Sequence, residues 1–150
     1  KNIGFIGGKA ISSSETEQRY LAYLDFCKET NNPSSISYSE FKHGEELMIS
    51  KRFLDKYTNL DGIFCSSDLL TNACYIKLNA NGKSVPEDVK LIGYDGALNE
   101  LVPEPIFTVV KQRVDIIAKE LVRVLLDKIN GQEVDELECV SSEFVIGETA

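Results

Sequence analysis

Short apolar segments alternate with longer segments of helical periodicity along most of the chain. Apolar runs of this kind, each ending in Gly, Ser or Asp, predict buried parallel strands. The predicted strands cover residues 3–6, 35–40, 62–65 and 89–94, and the helices between them cover residues 15–30, 44–58 and 68–81. This order predicts an α/β fold: a three-layer, doubly wound parallel sheet with functional loops at the carboxyl ends of its strands.

The pattern changes after residue 96, where a proline-rich connector leads into the last third of the chain. Residues 107–110 predict a short strand, residues 114–130 an amphipathic helix that ends at Gly131, and residues 138–146 a final strand. The helix carries a wide apolar stripe, and the segment 68–81 is apolar over more than half its circumference. For that segment, deep burial and contact with a second subunit remain alternatives.

Length and charge limit the classes of protein to consider. The 150 residues suffice for one core, and the formal net charge of −8 has the wrong sign for a surface that binds DNA or anionic lipid. No apolar run approaches the roughly 20 residues of a membrane span, and the first residues lack the pattern of a signal peptide. Because Met48 is the only methionine, we expect the chain to be part of a longer protein.

The reactive side chains do not form a catalytic or metal-binding pattern. The four cysteines, Cys27, Cys65, Cys74 and Cys139, are widely spaced, and we interpret them as buried thiols in a reducing compartment. The single histidine, His43, has no second ligand beside it, and the chain has no G-x-S-x-G motif. Gly7 and Gly8 fit neither nucleotide-binding pattern and are interpreted as a tight turn. We expect no catalytic residue, metal or cofactor.

Three groups of polar residues lie where a ligand could bind. Ser66–Asp68 and Asp95–Gly96 each follow a predicted strand, and Arg19 can reach the same edge from the first helix. A carboxylate and a guanidinium that converge there would suit the vicinal hydroxyls of a sugar. The structural alternatives are a surface ion pair of Arg19 with Glu15, a helix N-cap at Asp68 and a simple turn at Asp95.

Several strings in this order resemble the effector-binding core of the lactose-repressor family of bacterial transcription regulators. They are Ile3–Gly8, Arg19–Tyr23, Asp61–Asp68, Val85–Gly96 and Thr108–Gln112. The resemblance implies that residues 1–150 form the carboxyl-terminal lobe of a periplasmic-binding-protein-like core that closes on a small ligand, usually a sugar. It also implies a hinge crossover at about residues 106–112, and a helix over 114–130 that packs on an amino-terminal lobe outside this chain.

The same resemblance implies roles for individual residues. Arg19 and Asp95 correspond to family residues that bind effector hydroxyls, Ser67 stands where the family usually has Asn, and Phe41 falls near an aromatic residue that stacks on the ligand. Since the chain has no Trp, Phe or Tyr must supply any apolar platform for a sugar.

The implied function is that of a cytoplasmic, sugar-responsive regulator, a repressor by expectation. It would be a homodimer without catalysis and would contact operator DNA through a headpiece outside this chain. The main alternative is an extracellular sugar-binding protein of a transport system, against which the cysteines argue. An enzyme on the same scaffold is a third hypothesis, in which Asp95 would do acid–base chemistry. The identity of the sugar, and whether it induces or co-represses, do not follow from the sequence.

Overall fold

A computed structural model describes residues 1–8, 14–39, 44–135 and 139–150, and its helices and strands follow the predicted alternation. The elements in chain order are β1 (Ile3–Gly8), α1 (Ser14–Thr30), β2 (Ser35–Ser39), α2 (Glu46–Lys56), β3 (Gly62–Cys65), α3 (Asp68–Ala80), β4 (Lys90–Asp95), a 3₁₀ turn (Leu98–Leu101), β5 (Thr108–Lys111), α4 (Val114–Ile129) and β6 (Glu143–Val145). Most predicted boundaries agree to within two residues. The exception is the final strand, which is three residues long rather than the predicted 138–146; residue 138 lies outside the described part of the chain.

The strands form one sheet in the order β2-β1-β3-β4-β5-β6. Pairing is parallel from β2 to β5, and β6 runs antiparallel to β5. The predicted α/β class with a doubly wound parallel sheet is therefore confirmed, except for the direction of β6. The antiparallel direction of β6 was not predicted, because strand direction depends on the path of the chain through α4 and not on local periodicity.

Alternating side chains of the central strands enter different cores on the two faces of the sheet. Ile6, Ile63 and Leu91 point toward α2 and α3, whereas Phe5 and Phe64 point toward α1. The α2–α3 side holds the larger core, which also includes Phe53, Leu70, Cys74 and Leu78. Burial of each large apolar side chain contributes roughly 1.5–3 kcal/mol.

Hydrogen bonds from buried hydroxyls join these layers at two places. The Tyr23 hydroxyl of α1 donates to the Ile3 carbonyl at 2.8 Å and accepts from the Ser35 amide at 2.9 Å, and its burial raises its pKa. The Thr149 hydroxyl donates to the Leu91 carbonyl at 2.8 Å and accepts from the Thr108 amide at 2.9 Å. The first group ties α1 to the sheet, and the second ties the end of the described chain to β4 and β5.

Helix α4 differs from the other helices because none of its residues is buried. Its apolar side chains Leu121, Leu125 and Ile129 are all more than half exposed. The amphipathic helix predicted over residues 114–130 is therefore confirmed, and its apolar stripe has no partner among the described residues.

The environment of the cysteines agrees in part with the sequence prediction. Cys27, Cys65 and Cys74 are buried free thiols, but Cys139 is exposed, so the prediction of burial is wrong for this residue. Cys139 precedes the short strand β6, which lies at the edge of the sheet. None of the described helices is long and apolar enough to cross a membrane.

Candidate functional site

The carboxyl ends of β1, β3 and β4 meet at one edge of the sheet, which we call the rim. Parallel pairing places Ile6 of β1 beside Cys65 of β3, and Phe64 of β3 beside Ile92 of β4. The residues that follow these strands, Ser66–Asp68 and Asp95–Gly96, therefore emerge at the same edge. Ligands of open α/β sheets bind at this edge.

Gly7 lies inside β1 close to the rim, and the interpretation of Gly7 and Gly8 as a tight turn is wrong. A Cβ atom on Gly7 would lie 2.6 Å from Cζ of Phe5 and 2.8 Å from the Ser66 hydroxyl oxygen. Glycine at this position thus allows the end of β1 to approach the segment that follows β3.

Ser67, and not Asp68, is the N-cap of α3. The Ser67 hydroxyl accepts a hydrogen bond from the Leu70 amide at 3.4 Å, as expected for an N-cap. Asp68 is the first helical residue, and it is buried, with only 7% of its surface exposed. Its Oδ1 accepts from the Gly96 amide and its Oδ2 from the Leu98 amide, each at 3.0 Å. The interpretation of Asp68 as a simple cap is therefore wrong, because its carboxylate is directed at the loop after β4.

Asp95 has an unusual backbone conformation at the end of β4. Its φ of +88° lies in the left-handed region, which costs an L-residue other than glycine about 1 kcal/mol or more. Gln112, which follows β5, holds this residue in two ways. Its side-chain amide donates to Asp95 Oδ1 at 2.7 Å, and its backbone amide donates to the Asp95 carbonyl at 3.1 Å.

Arg19 reaches the rim from α1. Its guanidinium donates from Nη1 to the Ser66 carbonyl at 3.2 Å, and its Cζ lies 3.7 Å from the centre of the Tyr94 ring. This is a cation–π contact, and together with the hydrogen bond to Ser66 it restrains the position of the guanidinium. Arg19 is thus next to the residues that precede both Ser67 and Asp95.

A polar cleft of about 570 Å³ opens beside Asp95. Its walls include Gln112, Asp115, and the ion pair between Lys111 Nζ and Glu100 Oε1 at 2.8 Å. The hydrogen bond and charge of Glu100 raise the pKa of Lys111. A cleft of this size is within the range of small-ligand sites, and its walls offer both donors and acceptors.

Two of the predicted ligand-binding residues need separate comment. Arg19 does not line the polar cleft; it lines a shallower apolar depression with Tyr23, Phe26 and Phe64. Phe41 lies outside the residues that the structure describes. The rim therefore collects Arg19, Ser67 and Asp95, with Asp95 alone of these three at the cleft.

The sequence analysis missed the roles of Tyr94 and Asp68 and did not connect Gln112 to Asp95. The period of two along β4 places Tyr94 on the same face as Ile92, toward α1, and this signal could have identified it. The contact between Asp68 and the loop after β4 is set by the tertiary structure, and no local pattern indicates it.

The arrangement is suited to binding a neutral, hydroxyl-rich ligand. The Asp95 carboxylate uses Oδ1 for Gln112, which leaves Oδ2 to accept from a ligand hydroxyl. The Arg19 guanidinium has donors in addition to the one used by Ser66. A doubly wound lobe with such a rim defines a class of protein: small-molecule binding domains of the periplasmic binding type.

Comparison with known proteins agrees with this class and refines it. Residues 1–150 match the family described as periplasmic binding protein-like domain, and the chain belongs to it. Within that class, the chain belongs to the lactose-repressor family.

Curated relatives include the HTH-type transcriptional regulator CelR of Thermobifida fusca, which is 32% identical over 105 residues, or 70% of this chain and 31% of CelR. The Ribose operon repressor of Halalkalibacterium halodurans is 25% identical over 146 residues, or 95% of this chain and 43% of that repressor. The chain thus spans less than half the length of these relatives.

Solved structures show the same architecture. A complex of the transcriptional regulator CelR with cellobiose superposes with a TM-score of 0.84 at 25% identity, over 99% of this chain and 46% of that chain. A LacI-type regulator from Alkaliphilus metalliredigens complexed with D-xylulofuranose gives a TM-score of 0.82 at 24% identity, over 99% and 56% of the two chains. At 24% identity, the similarity to the second structure is one of fold alone.

Replacement of Asp95 should reveal the strain in its backbone. Asp95→Asn keeps an oxygen for Gln112, and Asn tolerates positive φ better than most residues. Asp95→Ala loses that hydrogen bond and has no such tolerance, so we expect its free energy of unfolding to be about 1–2 kcal/mol lower than that of Asp95→Asn. Urea denaturation of the two variants measures the difference.

The same two substitutions at Asp88 serve as the control, since Asp88 also accepts a backbone amide, that of Ser84 at 2.8 Å, but has no positive φ. The difference in the free energy of unfolding between the Ala and Asn variants should be smaller at Asp88 than at Asp95. An equal difference in the free energy of unfolding at both positions would show that the backbone of Asp95 is not strained.

Proposed function

We propose that this chain is the effector-binding lobe of a sugar-responsive bacterial transcription regulator, a repressor in its DNA-bound state. The observation that carries the proposal is the Asp95 carboxylate, held in a left-handed conformation beside a polar cleft at the rim of this fold. The named relatives are transcriptional regulators and repressors, which supports a regulatory role. In this role the protein carries out no catalysis.

The proposed effector is a sugar. CelR, the subject of a solved complex with cellobiose, is among the relatives, and another relative is a Ribose operon repressor. A sugar presents several vicinal hydroxyls without net charge, which fits one free carboxylate oxygen and the remaining donors of a guanidinium. Cellobiose and D-ribose are therefore the first ligands to test.

Each predicted site residue has a role in this proposal. Asp95 accepts from sugar hydroxyls, and Arg19, fixed on Tyr94, donates to them. The Ser67 oxygen already accepts the Leu70 amide, so Ser67 contributes its hydroxyl hydrogen as a donor. Phe41 provides an apolar face for the sugar ring, as the resemblance to the family implies.

Residues 1–150 form one of two lobes in this proposal, with the hinge crossover at about residues 106–112. The second lobe packs on α4, whose apolar stripe is exposed. More than half of the CelR structure lies beyond the part that this chain matches, which leaves room for such a lobe. Closure of the lobes on the sugar would favour one of two states of the protein and thereby change its affinity for operator DNA.

We further propose a homodimer that uses the outer surface of α3 and the adjacent 3₁₀ turn. Leu69 and Ile76 of α3 are 58% and 45% exposed, although the opposite side of that helix is buried. Leu101 of the turn is 78% exposed. Operator DNA is bound by a separate headpiece, since the −8 net charge of this chain opposes contact with phosphate.

The transport alternative is less well supported. The named relatives are regulators, and the three buried free thiols are typical of a reducing compartment. For the same reasons we place the protein in the cytoplasm. The enzyme hypothesis has no support from the relatives.

Asp95→Asn should weaken effector binding about tenfold or more, because a charged acceptor for a sugar hydroxyl becomes a neutral one. Isothermal titration calorimetry of the intact protein with cellobiose, D-ribose and a panel of other mono- and disaccharides measures the affinity. Asp88→Asn, at the opposite end of β4, is the matched control and should bind as the unaltered protein does. Unchanged affinity in Asp95→Asn would remove Asp95 from the site.

Ile76→Glu should shift the intact protein from dimer to monomer, because it places a charge in an apolar interface. Sedimentation velocity over a range of protein concentrations measures the change. Leu21→Glu on α1, with a similar exposure of 48%, is the control and should leave the dimer intact. Dissociation by Leu21→Glu but not by Ile76→Glu would place the interface on the opposite side of the lobe.

A further inference from the structure

We propose that Asp68 is a positioning residue that holds Asp95 in its effector-binding orientation. The proposal rests on the proposed function, in which Asp95 binds the sugar. Asp68 belongs to α3, and Asp95 ends the neighbouring strand β4. The two are joined through the loop that follows Asp95, whose Gly96 and Leu98 amides both donate to the Asp68 carboxylate at 3.0 Å.

The backbone around Asp95 needs such external support. Asp95 and Gly96 both have positive φ, +88° and +83°. A residue other than glycine does not stay in this region unless its surroundings hold it there. Gln112, just after β5, holds the side chain and the carbonyl of Asp95, and Asp68 of α3 holds the Gly96 and Leu98 amides. Asp95 is thus fixed from both sides of β4.

The carboxylate of Asp68 is not needed to begin its own helix. Ser67 already caps α3 by accepting the Leu70 amide. Both oxygens of Asp68 are instead committed to the loop, and the residue is buried, with only 7% of its surface exposed. A buried carboxylate with two backbone donors makes charge-assisted hydrogen bonds, which are stronger than neutral ones. Asp68 therefore stabilises the conformation of the loop that follows Asp95, and not the start of α3.

Asp68→Asn tests this role with little change in volume. The Asn oxygen can accept one of the two loop amides, but its amino group faces the other amide as a second donor. In the intact protein, we expect about tenfold weaker binding of cellobiose, or of whichever sugar of the panel binds the unaltered protein most tightly. Amide hydrogen exchange at Gly96 and Leu98 should become faster even without ligand. Both measurements remain possible if the variant is less stable.

A double-mutant cycle separates positioning from general stability. If Asp68 acts through Asp95, Asp68→Asn should cause little further loss of sugar affinity in the Asp95→Asn background. A merely structural role would lower affinity by the same factor in both backgrounds. Asp88→Asn makes the same change at a carboxylate that accepts the Ser84 amide before β4, away from the rim, and it should leave affinity unchanged.

The results distinguish failure of this proposal from failure of the proposed function. If the unaltered protein binds a sugar and Asp68→Asn binds it equally tightly, or if the loss is the same in the Asp95→Asn background, the positioning role is overturned and the proposed function stands. If the unaltered protein binds no sugar in the panel, the proposed function fails and this proposal fails with it.

Discussion

Packing of the central strands against two hydrophobic cores is the constraint on which the rest of the structure depends. Ile6, Ile63 and Leu91 enter one core, and Phe5 and Phe64 enter the other, so these strands cannot shift register by one residue without exposing both sets. Fixed register brings the ends of the strands to one edge. The polar residues after β3 and at the end of β4 meet there, although Asp68 and Asp95 are 27 positions apart in the sequence.

The rim combines contacts that are individually modest. Asp95 has a strained backbone that Gln112 and Asp68 hold from two sides, and the Arg19 guanidinium lies over the Tyr94 ring. The result is a carboxylate and a guanidinium whose positions are set before a ligand arrives. Preorganisation of this kind lowers the entropic cost of binding, since fewer side chains must be ordered.

Much of this fold follows from sequence patterns, and part of the site does not. Period-two and helical patterns predict the strands and helices, and Asp95 could be placed at the rim because it follows an apolar run. The partners of Asp68 could not be predicted, since its contacts with Gly96 and Leu98 depend on how α3 lies beside β4. Its position before an apolar helix suggested a cap, but Ser67 takes that role. The exposure of Cys139 likewise depends on the edge position of β6.

The lobe exposes apolar side chains on two of its helices, as expected for a component of a larger assembly. The apolar stripe of α4 and the outer side of α3 are exposed, whereas the central strands are buried. The central claim is that a sugar binds at the rim, and a crystal structure of the intact protein with its tightest-binding sugar tests it most directly. The account predicts sugar hydroxyls within hydrogen-bond distance of the Asp95 carboxylate and the Arg19 guanidinium. A sugar bound away from the carboxyl ends of β3 and β4 would contradict it.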